Sequence, residues 1–538
     1  MKKLINLDCS LRDGGYYNNW DFTDDFINNY LKVLESVNID YCELGFRFAK
    51  NSGFKGSCAF TSEKFINSLE IPSQLKIAVM INGSEIIDKN NLNFDVIKKL
   101  IPVKAQQSKV KLVRVACHSE AIEIILPFFD FLADQGYQSA CNITQISEKN
   151  ADDLSNISSL LSNSKVDIIY LADSLGSVIP NQIKYICKSI RSNWSGPIGI
   201  HAHDSQGLAL SNTIEAIKND ITWLDSTITG IGRGPGNAKT EELIVEMDNL
   251  LNRDTNLVPL IKIINDKFKP LKDKYMWGTN IFYYLAGKYA IHPTYIQSML
   301  TDFRYQEEDM LASINYLKNK GAKRFNYGDL DQLRNFYKGN PFGTWNSNSI
   351  FKNKEVLIIG PGKQVKKHEK ALISFIKKIK PVVLAINTQT LTENDLIDVR
   401  VACHPTRLLT DIKTHLKLQE PLIIPLSMLP EEFGTYLKGK ETLDYGIGIS
   451  KGEFKCEEKF SLVPNSLVLS YSLALVTGGN VNNIYLAGFD GYKDNDARND
   501  EVNDLLSQFK NCYPNSKVTA ITPTKYKNIV SKSVYGLF

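Results

Sequence analysis

Short apolar runs that stop at polar or ionisable residues recur about every 30 residues through the first half of the chain, with helical spacing between them. Residues 3–8, 40–45, 76–81, 111–115, 138–143, 167–172, 197–200 and 222–229 read as strands, being short runs that stop at turn, polar or ionisable residues. Residues 9–15, which end in Gly14 and Gly15, read as a turn, and residues 22–37 have helical spacing. Eight strand–helix units predict an α/β fold, a (β/α)8 TIM barrel; a doubly wound sheet would seldom need eight such units. Residues 241–320 keep a mostly helical pattern, with an aromatic run from Tyr275 to Tyr284 that would cover the barrel, meet a partner or pack in a core. Residues 339–353 have the composition of a linker.

The pattern starts afresh at Glu355. A buried strand at 356–359 enters the turn Gly360-Pro361-Gly362, and a helix and a second strand at 382–386 follow. That order begins like a Rossmann-like domain, although Val365 stands where a third glycine would complete the dinucleotide-binding pattern. Phosphate binding at the helix N-terminus and a merely tight turn are both open readings. Asn483 to Tyr492 reads as another strand ending in glycines, with Asp490 either binding a ligand or capping a turn. The expected division is a barrel at 1–262, a helical extension at 263–340 and a Rossmann-like α/β domain at 352–538.

Composition narrows the class. The 538 residues carry 63 basic and 59 acidic side chains, a net charge of +4, with the lysines scattered over expected helix faces. This leaves no footprint for nucleic acid. An apolar content of 43% is that of a soluble globular chain, and no run of about 18 apolar residues exists to span a membrane. Nine cysteines without a CxxC pair, and a start that lacks an apolar signal core, point to reduced thiols and a cytoplasmic location.

The ionisable residues cluster where strands stop. Arg12, Asp13, Glu43, Arg114, Asp173, Ser174, His201 and His203 would look into one mouth, where barrel enzymes gather catalytic groups. His201 and His203, two apart on a strand, would share a face. They are either a hydrogen-bonded core pair or half of a metal site. With Asp13 they would suit a divalent ion such as Mn2+, Mg2+, Zn2+ or Co2+, with Asn237 as a further ligand. Open positions on that ion could take an oxo acid, and Arg12 could hold the developing oxyanion. Asp204 could orient a histidine. The glycines of the 230–237 loop also fit a phosphate- or carboxylate-binding loop.

Ser10-Leu11-Arg12-Asp13-Gly14, His201-Ala202-His203-Asp204 and the Gly230–Asn237 loop together resemble the DRE-TIM metallolyase superfamily over about residues 1–300. Its members include 4-hydroxy-2-oxovalerate aldolase, 3-hydroxy-3-methylglutaryl-CoA lyase and the isopropylmalate and homocitrate synthases. The resemblance implies a carbon–carbon lyase with a divalent metal, Mn2+ or Mg2+ first, on Asp13, His201, His203 and Asn237. It implies an enolate stabilised by Arg12, and places Asp8, Glu43 and Asn237 at recurrent family positions. The segment from Tyr275 to Tyr295 looks like the C-terminal helices of the aldolase branch, whose substrates are a 4-hydroxy-2-oxo acid, pyruvate and an aldehyde. Gly232 and Arg233 stand where the lyase branch carries a catalytic cysteine. Tyr16 stands where the aldolases usually carry a histidine base, which leaves Tyr16, His118 or a metal-bound water for that role. Glu43, Arg114, Asp173 and Ser174 are the expected substrate-binding residues, and no organic cofactor is expected.

In the second half, Pro464-Asn465-Ser466, Tyr485 to Tyr492 and Thr522 to Tyr526 resemble Rossmann-like domains found with bacterial surface-glycan enzymes, which implies a nucleotide or sugar ligand. A homo-oligomer is the expected assembly. The competing readings are a Claisen-type enzyme using acetyl-CoA, and a non-catalytic barrel acting as a scaffold.

Overall fold

The computed structural model describes residues 3–302, 305, 307–326, 340–450, 452–493 and 496–537. The end of the expected helical extension and Gly339 of the expected linker lie outside them. Two compact units divide the described residues. Of these, one takes 3–302 with 314–325; the other takes 305, 307–313, 326 and those from 340 onward. Among the described residues no helix is long and apolar enough to cross a membrane.

The first unit is a closed barrel of eight parallel strands: β1 (Ile5–Asp8), β2 (Tyr41–Phe46), β3 (Lys76–Asn82), β4 (Val110–Cys117), β5 (Gln138–Ile143), β6 (Ile168–Asp173), β7 (Ile198–Ala202) and β8 (Trp223–Ser226). β8 pairs with β1 in register from Ile5↔Trp223 to Asp8↔Ser226, which closes the cylinder. Side chains alternate along each strand, so one parity fills the barrel and the other meets the helices. Leu7, Tyr41, Ala78, Leu112, Ala140, Ile168, Tyr170 and Trp223 form an apolar inner layer. The next inward positions along these strands, Glu43, Arg114, Asn142 and Asp225, are polar and buried. Strand parity thus builds an ionic layer on an apolar floor.

The expected turn at 9–15 is instead the start of helix α1 (Ser10–Asn18). Asp8 accepts the Ser10 N–H at 2.8 Å and satisfies one orphan donor of the first turn. The glycines serve close approach: a Cβ on Gly14 would lie 2.6 Å from Ile231 Cδ1, and one on Gly15 would lie 2.0 Å from Trp20 Cδ1. Beyond the barrel, helices α2 (Ile281–Lys288) and α3 (Pro293–Leu300) belong to the same unit. Their aromatic approach packs onto the barrel. Trp277 is buried and donates from Nε1 to the Thr229 carbonyl at 3.1 Å, and Tyr275 stacks on Tyr17 at 5.4 Å.

The second unit holds another parallel sheet of eight strands: β9 (Glu355–Ile359), β10 (Val382–Ile386), β11 (Val399–Val401), β12 (Leu422–Ile424), β13 (Thr442–Asp444), β14 (Asn483–Ala487), β15 (Val518–Ala520) and β16 (Val530–Ser531). Their order is β13-β12-β11-β10-β9-β14-β15-β16, so the chain reverses its direction of travel between β9 and β14. The short helix after the glycine turn, Lys363–Lys367, presents its first N–H groups to the protein's own carboxylate: Asp490 Oδ2 accepts from Gln364 N at 2.9 Å. Of the two readings of that turn, the self-contained one fits this geometry, because a phosphate there would meet a resident anion.

His415, at the end of helix Pro405–His415, is fully buried, and among the described residues neither ring nitrogen has a hydrogen-bond partner. Burial, with Arg400 and Lys440 nearby, pushes its pKa down to about 4. An unfolded histidine titrates at roughly 6.5, so the stability held by neutral His415 is complete above that pH and is lost as pH falls through about 4. The expected loss is roughly 3 kcal/mol, and His415→Leu should flatten the fall in denaturation midpoint between about pH 7 and pH 4.5. An unchanged pH slope in the variant would contradict this account.

Candidate metal centre at the barrel mouth

Asp13 and His201 come from opposite ends of the barrel sequence and meet. His201 Nε2 lies 3.3 Å from Asp13 Oδ2, and His201 Nδ1 lies 2.9 Å from Asp225 Oδ2. The contacts continue into a closed ring of alternating charge. Arg12 pairs with Asp13 through Nη1 and with Glu43 Oε2 through Nε at 2.7 Å. Arg114 faces the same Glu43 oxygen at 3.2 Å and Asp225 Oδ2 at 2.6 Å. All six side chains are buried. Burial alone would raise the pKa of Asp13, but the Arg12 guanidinium and the neighbouring imidazoles outweigh it and hold the carboxyl well below the usual carboxylate range. Burial works against a charge on His201 as well; its hydrogen bonds to Asp13 and Asp225 win and raise its pKa.

His203 follows β7 and is bridged to Asn237. Its Nδ1 lies 2.9 Å from the Asp173 carbonyl oxygen, which can only accept. The proton therefore sits on Nδ1, leaving a lone pair on Nε2. Burial and the charge of His201 push its pKa down to about 3, so the ring is neutral. Asn237 donates from Nδ2 to Asp13 Oδ2 at 2.7 Å, while its Oδ1 is buried and has no partner among the described residues. The loop that carries Asn237 is folded tightly: Gly236 has φ +79°, and a Cβ there would lie 2.1 Å from the Gly230 carbonyl oxygen.

A carboxylate, two imidazoles and an orphaned amide oxygen form a donor set that fits a divalent ion. Ligands on adjacent vertices of such an ion stand about 3 Å apart, given bonds of about 2.1 Å, and the contact between Asp13 and His201 has that spacing. Among the described residues, the three-residue set whose ligand atoms all lie within 4.8 Å of one another is a different one, Cys9, His201 and Asp225, around the other nitrogen of His201. It is the poorer one. Asp225 already carries the Arg114 cation, and burial raises the Cys9 thiol pKa well above its usual value.

Asp13, His201 and His203, though not Asn237, open onto a cavity of about 250 Å³ that Arg12, Tyr16, His118 and Ser174 also line, with Asn82, Asn142, Thr144, Arg233 and His292 among the other walls. Three residues expected at this mouth do not line it. Glu43 and Arg114 have inward parity but sit one layer lower, with zero exposure, locked in the charge ring. Asp173 has the parity opposite to Ala172 and Ser174, so its carboxylate turns outward and accepts the N–H groups of Ser177 and Val178 at 3.1 Å. Burial lifts its pKa to about 6. Asp204 does not orient a histidine either: it accepts the Ala209 N–H at 3.0 Å and caps the next helix, while Asp225 and the Asp173 carbonyl hold the imidazoles.

Tyr16 stands in the cavity at 39% exposure, edge-on to Trp20 and Phe46, with the Arg233 guanidinium 5.5 Å from its ring centre. The surrounding protein strips water from the phenol and raises its pKa, which keeps it protonated. His118 lies at the exposed rim, with Nδ1 3.0 Å from Thr144 Oγ1. The Thr144 hydroxyl donates its proton to the Cys117 carbonyl at 3.1 Å, so Nδ1 must donate to Thr144, and Nε2 is left basic. Burial, then the Arg324 charge, lowers the His118 pKa and keeps the ring neutral. Asp225, Arg233 and His292 were not among the expected site residues. An acid in the middle of the apolar run at 222–229 was the available signal for Asp225.

Residues 3–265 match the family model described as HMGL-like. The 4-hydroxy-2-oxovalerate aldolase of Bacillus cereus is 23% identical over 325 residues, 58% of this chain and 90% of that protein. An oxaloacetate decarboxylase of Mycobacterium tuberculosis is 24% identical over 247 residues, 46% of this chain and 70% of that protein. Among solved structures, the N-terminal domain of a candidate aldolase from Bacteroides vulgatus is 31% identical, with a TM-score of 0.49, covering 55% of this chain and 97% of that one. The barrel is an HMGL-like domain of the DRE-TIM type, with 4-hydroxy-2-oxovalerate aldolase homologues. The chain that carries it is an enzyme of the carbon–carbon lyase class.

Proposed function

We propose that the barrel is a divalent-metal-dependent aldolase that forms or cleaves a 4-hydroxy-2-oxo acid through the enolate of pyruvate. The observation that carries this reading is the contact of Asp13 with His201 and with Asn237, together with the opening of Asp13, His201 and His203 onto one cavity that Arg12 also lines. Asp13, His201 and His203 would hold the ion, with Asn237 as a further ligand; Mn2+ or Mg2+ suits these donors. When bound, such an ion supplies Lewis-acid polarisation of the keto group.

The remaining work falls to side chains. Arg12 has five N–H donors, of which Glu43 and Asp13 occupy two, and the others stabilise the oxyanion that develops as a proton leaves the methyl carbon. His118, neutral and basic at Nε2, takes that proton. Tyr16, held as a phenol, donates a hydrogen bond to the aldehyde or alkoxide oxygen. The Ser174 hydroxyl accepts the Gln145 N–H at 3.1 Å and so has its own proton to offer a substrate oxygen. Glu43, Arg114 and Asp173 position these groups from below and behind.

Exchange of the pyruvate methyl protons in D2O tests this without an aldehyde. Exchange is expected only with added Mn2+ or Mg2+, and His118→Gln should slow it by about 100-fold. Absence of exchange with every divalent ion tried would remove the reading.

A further inference from the structure

The cavity contains a cation that the donor half of this reaction does not use. Arg233 lines it from the glycine loop, and among the described residues its guanidinium has no ion-pair partner; its Nε is buried without a hydrogen bond. Asp13 is the sole carboxylate among the lining residues, and it is already committed to Arg12, His201 and Asn237.

Counting buried charge sharpens the point. A metal-ligating His201 is neutral, and Arg12 and Arg114 against Asp13, Glu43 and Asp225 then leave one negative charge on the protein. A divalent ion takes the total to one positive, and an oxo-acid carboxylate brings it to zero. The donor half therefore closes without Arg233, whose charge still needs a counter-ion in a partly water-stripped cavity. Beside it on the cavity wall is His292. The His292 Nδ1 accepts the Thr294 N–H at 3.3 Å, which puts the ring proton on Nε2 as a donor. Burial, then the Arg233 charge, pushes the His292 pKa down to about 3, so it remains a neutral donor across the working range. A guanidinium and an N–H donor with no competing acid make a receptor for a carboxylate or phosphate.

We propose that Arg233, assisted by His292, binds an anionic group on the second substrate, so that the aldehyde joined to or released from the oxo acid carries a carboxylate or a phosphate. This rests on the aldolase reading and names its substrate class. Condensation with pyruvate is to be followed for matched pairs in the Mn2+-loaded full chain: glyceraldehyde 3-phosphate against glyceraldehyde, and succinate semialdehyde against butanal. The expected preference in kcat/KM for at least one anionic member is about 10- to 100-fold, and the pair that shows it tells phosphate from carboxylate. Arg233→Ala should bring that ratio to about one, chiefly through KM, and Arg233→Lys should restore part of it.

Calorimetry with glycerol 3-phosphate and with succinate, on protein loaded with Mn2+ and oxalate, gives a readout apart from turnover. Binding of at least one of the two is expected to be at least about 10-fold weaker in Arg233→Ala. Neutral aldehydes preferred or equal, or a ratio and a binding constant unmoved in Arg233→Ala, would overturn the proposal. Proton exchange into pyruvate, which needs no aldehyde, separates that failure from a failure of the aldolase reading itself.

Discussion

Asp13→Ala is expected to strip the chain of its divalent ion and to lower carbon–carbon lyase activity on the order of 10³-fold or more. The carboxylate sits between His201, Asn237 and Arg12, so no neighbour can replace it. Its removal also leaves Arg12 paired with Glu43 alone, which draws the guanidinium away from the reacting oxygens. Metal content after dialysis should fall from roughly one ion per chain to a small fraction of that. Asp13→Asn keeps the shape and loses the charge, and should share most of the defect. A variant that folds by circular dichroism, holds its metal and turns over normally would refute the assignment of Asp13.

Arg114→Leu is expected to destabilise the barrel by about 3–5 kcal/mol, because it leaves Glu43 and Asp225 buried without their cation. The guanidinium also lies 4.1 Å from the Tyr170 ring centre, so the substitution removes packing as well as charge. Arg114→Lys cannot reach both carboxylates with a planar fork and should recover only part of the loss. Guanidinium-induced unfolding followed on the barrel tryptophans measures the difference. A loss below about 1 kcal/mol would mean that the ring contributes little to holding the barrel together.

The barrel was legible in the sequence because its signal is periodic. Each strand is a short apolar run, and the ionisable residues fall at the same end of each. The meeting of Asp13 with His201 followed from the same end rule. Depth and direction were not legible. Glu43 and Arg114 stand near strand ends as His201 does, yet they lie one layer down, and only the register of neighbouring strands fixes that layer. Asp173 differs from Ser174 by one position, and one position reverses the side of the wall. The Gly14-Gly15 pair suggested a turn because glycine is ambiguous between a bend and a close contact; Ile231, which meets Gly14, is remote in the pattern, and the packing of nearby Trp20 onto Gly15 is not visible in it. The glycine turn at 360–362 carried the same ambiguity, and the carboxylate that meets the helix after it lies more than a hundred residues away.

The charge ring is built from barrel strands and the start of α1, whereas Arg233 and His292 come from a loop and from the N-terminal cap of α3. Selectivity is then a detachable property of this architecture. A lineage can re-specify the molecule it accepts by editing an outer collar, without disturbing the interior on which turnover and folding both depend.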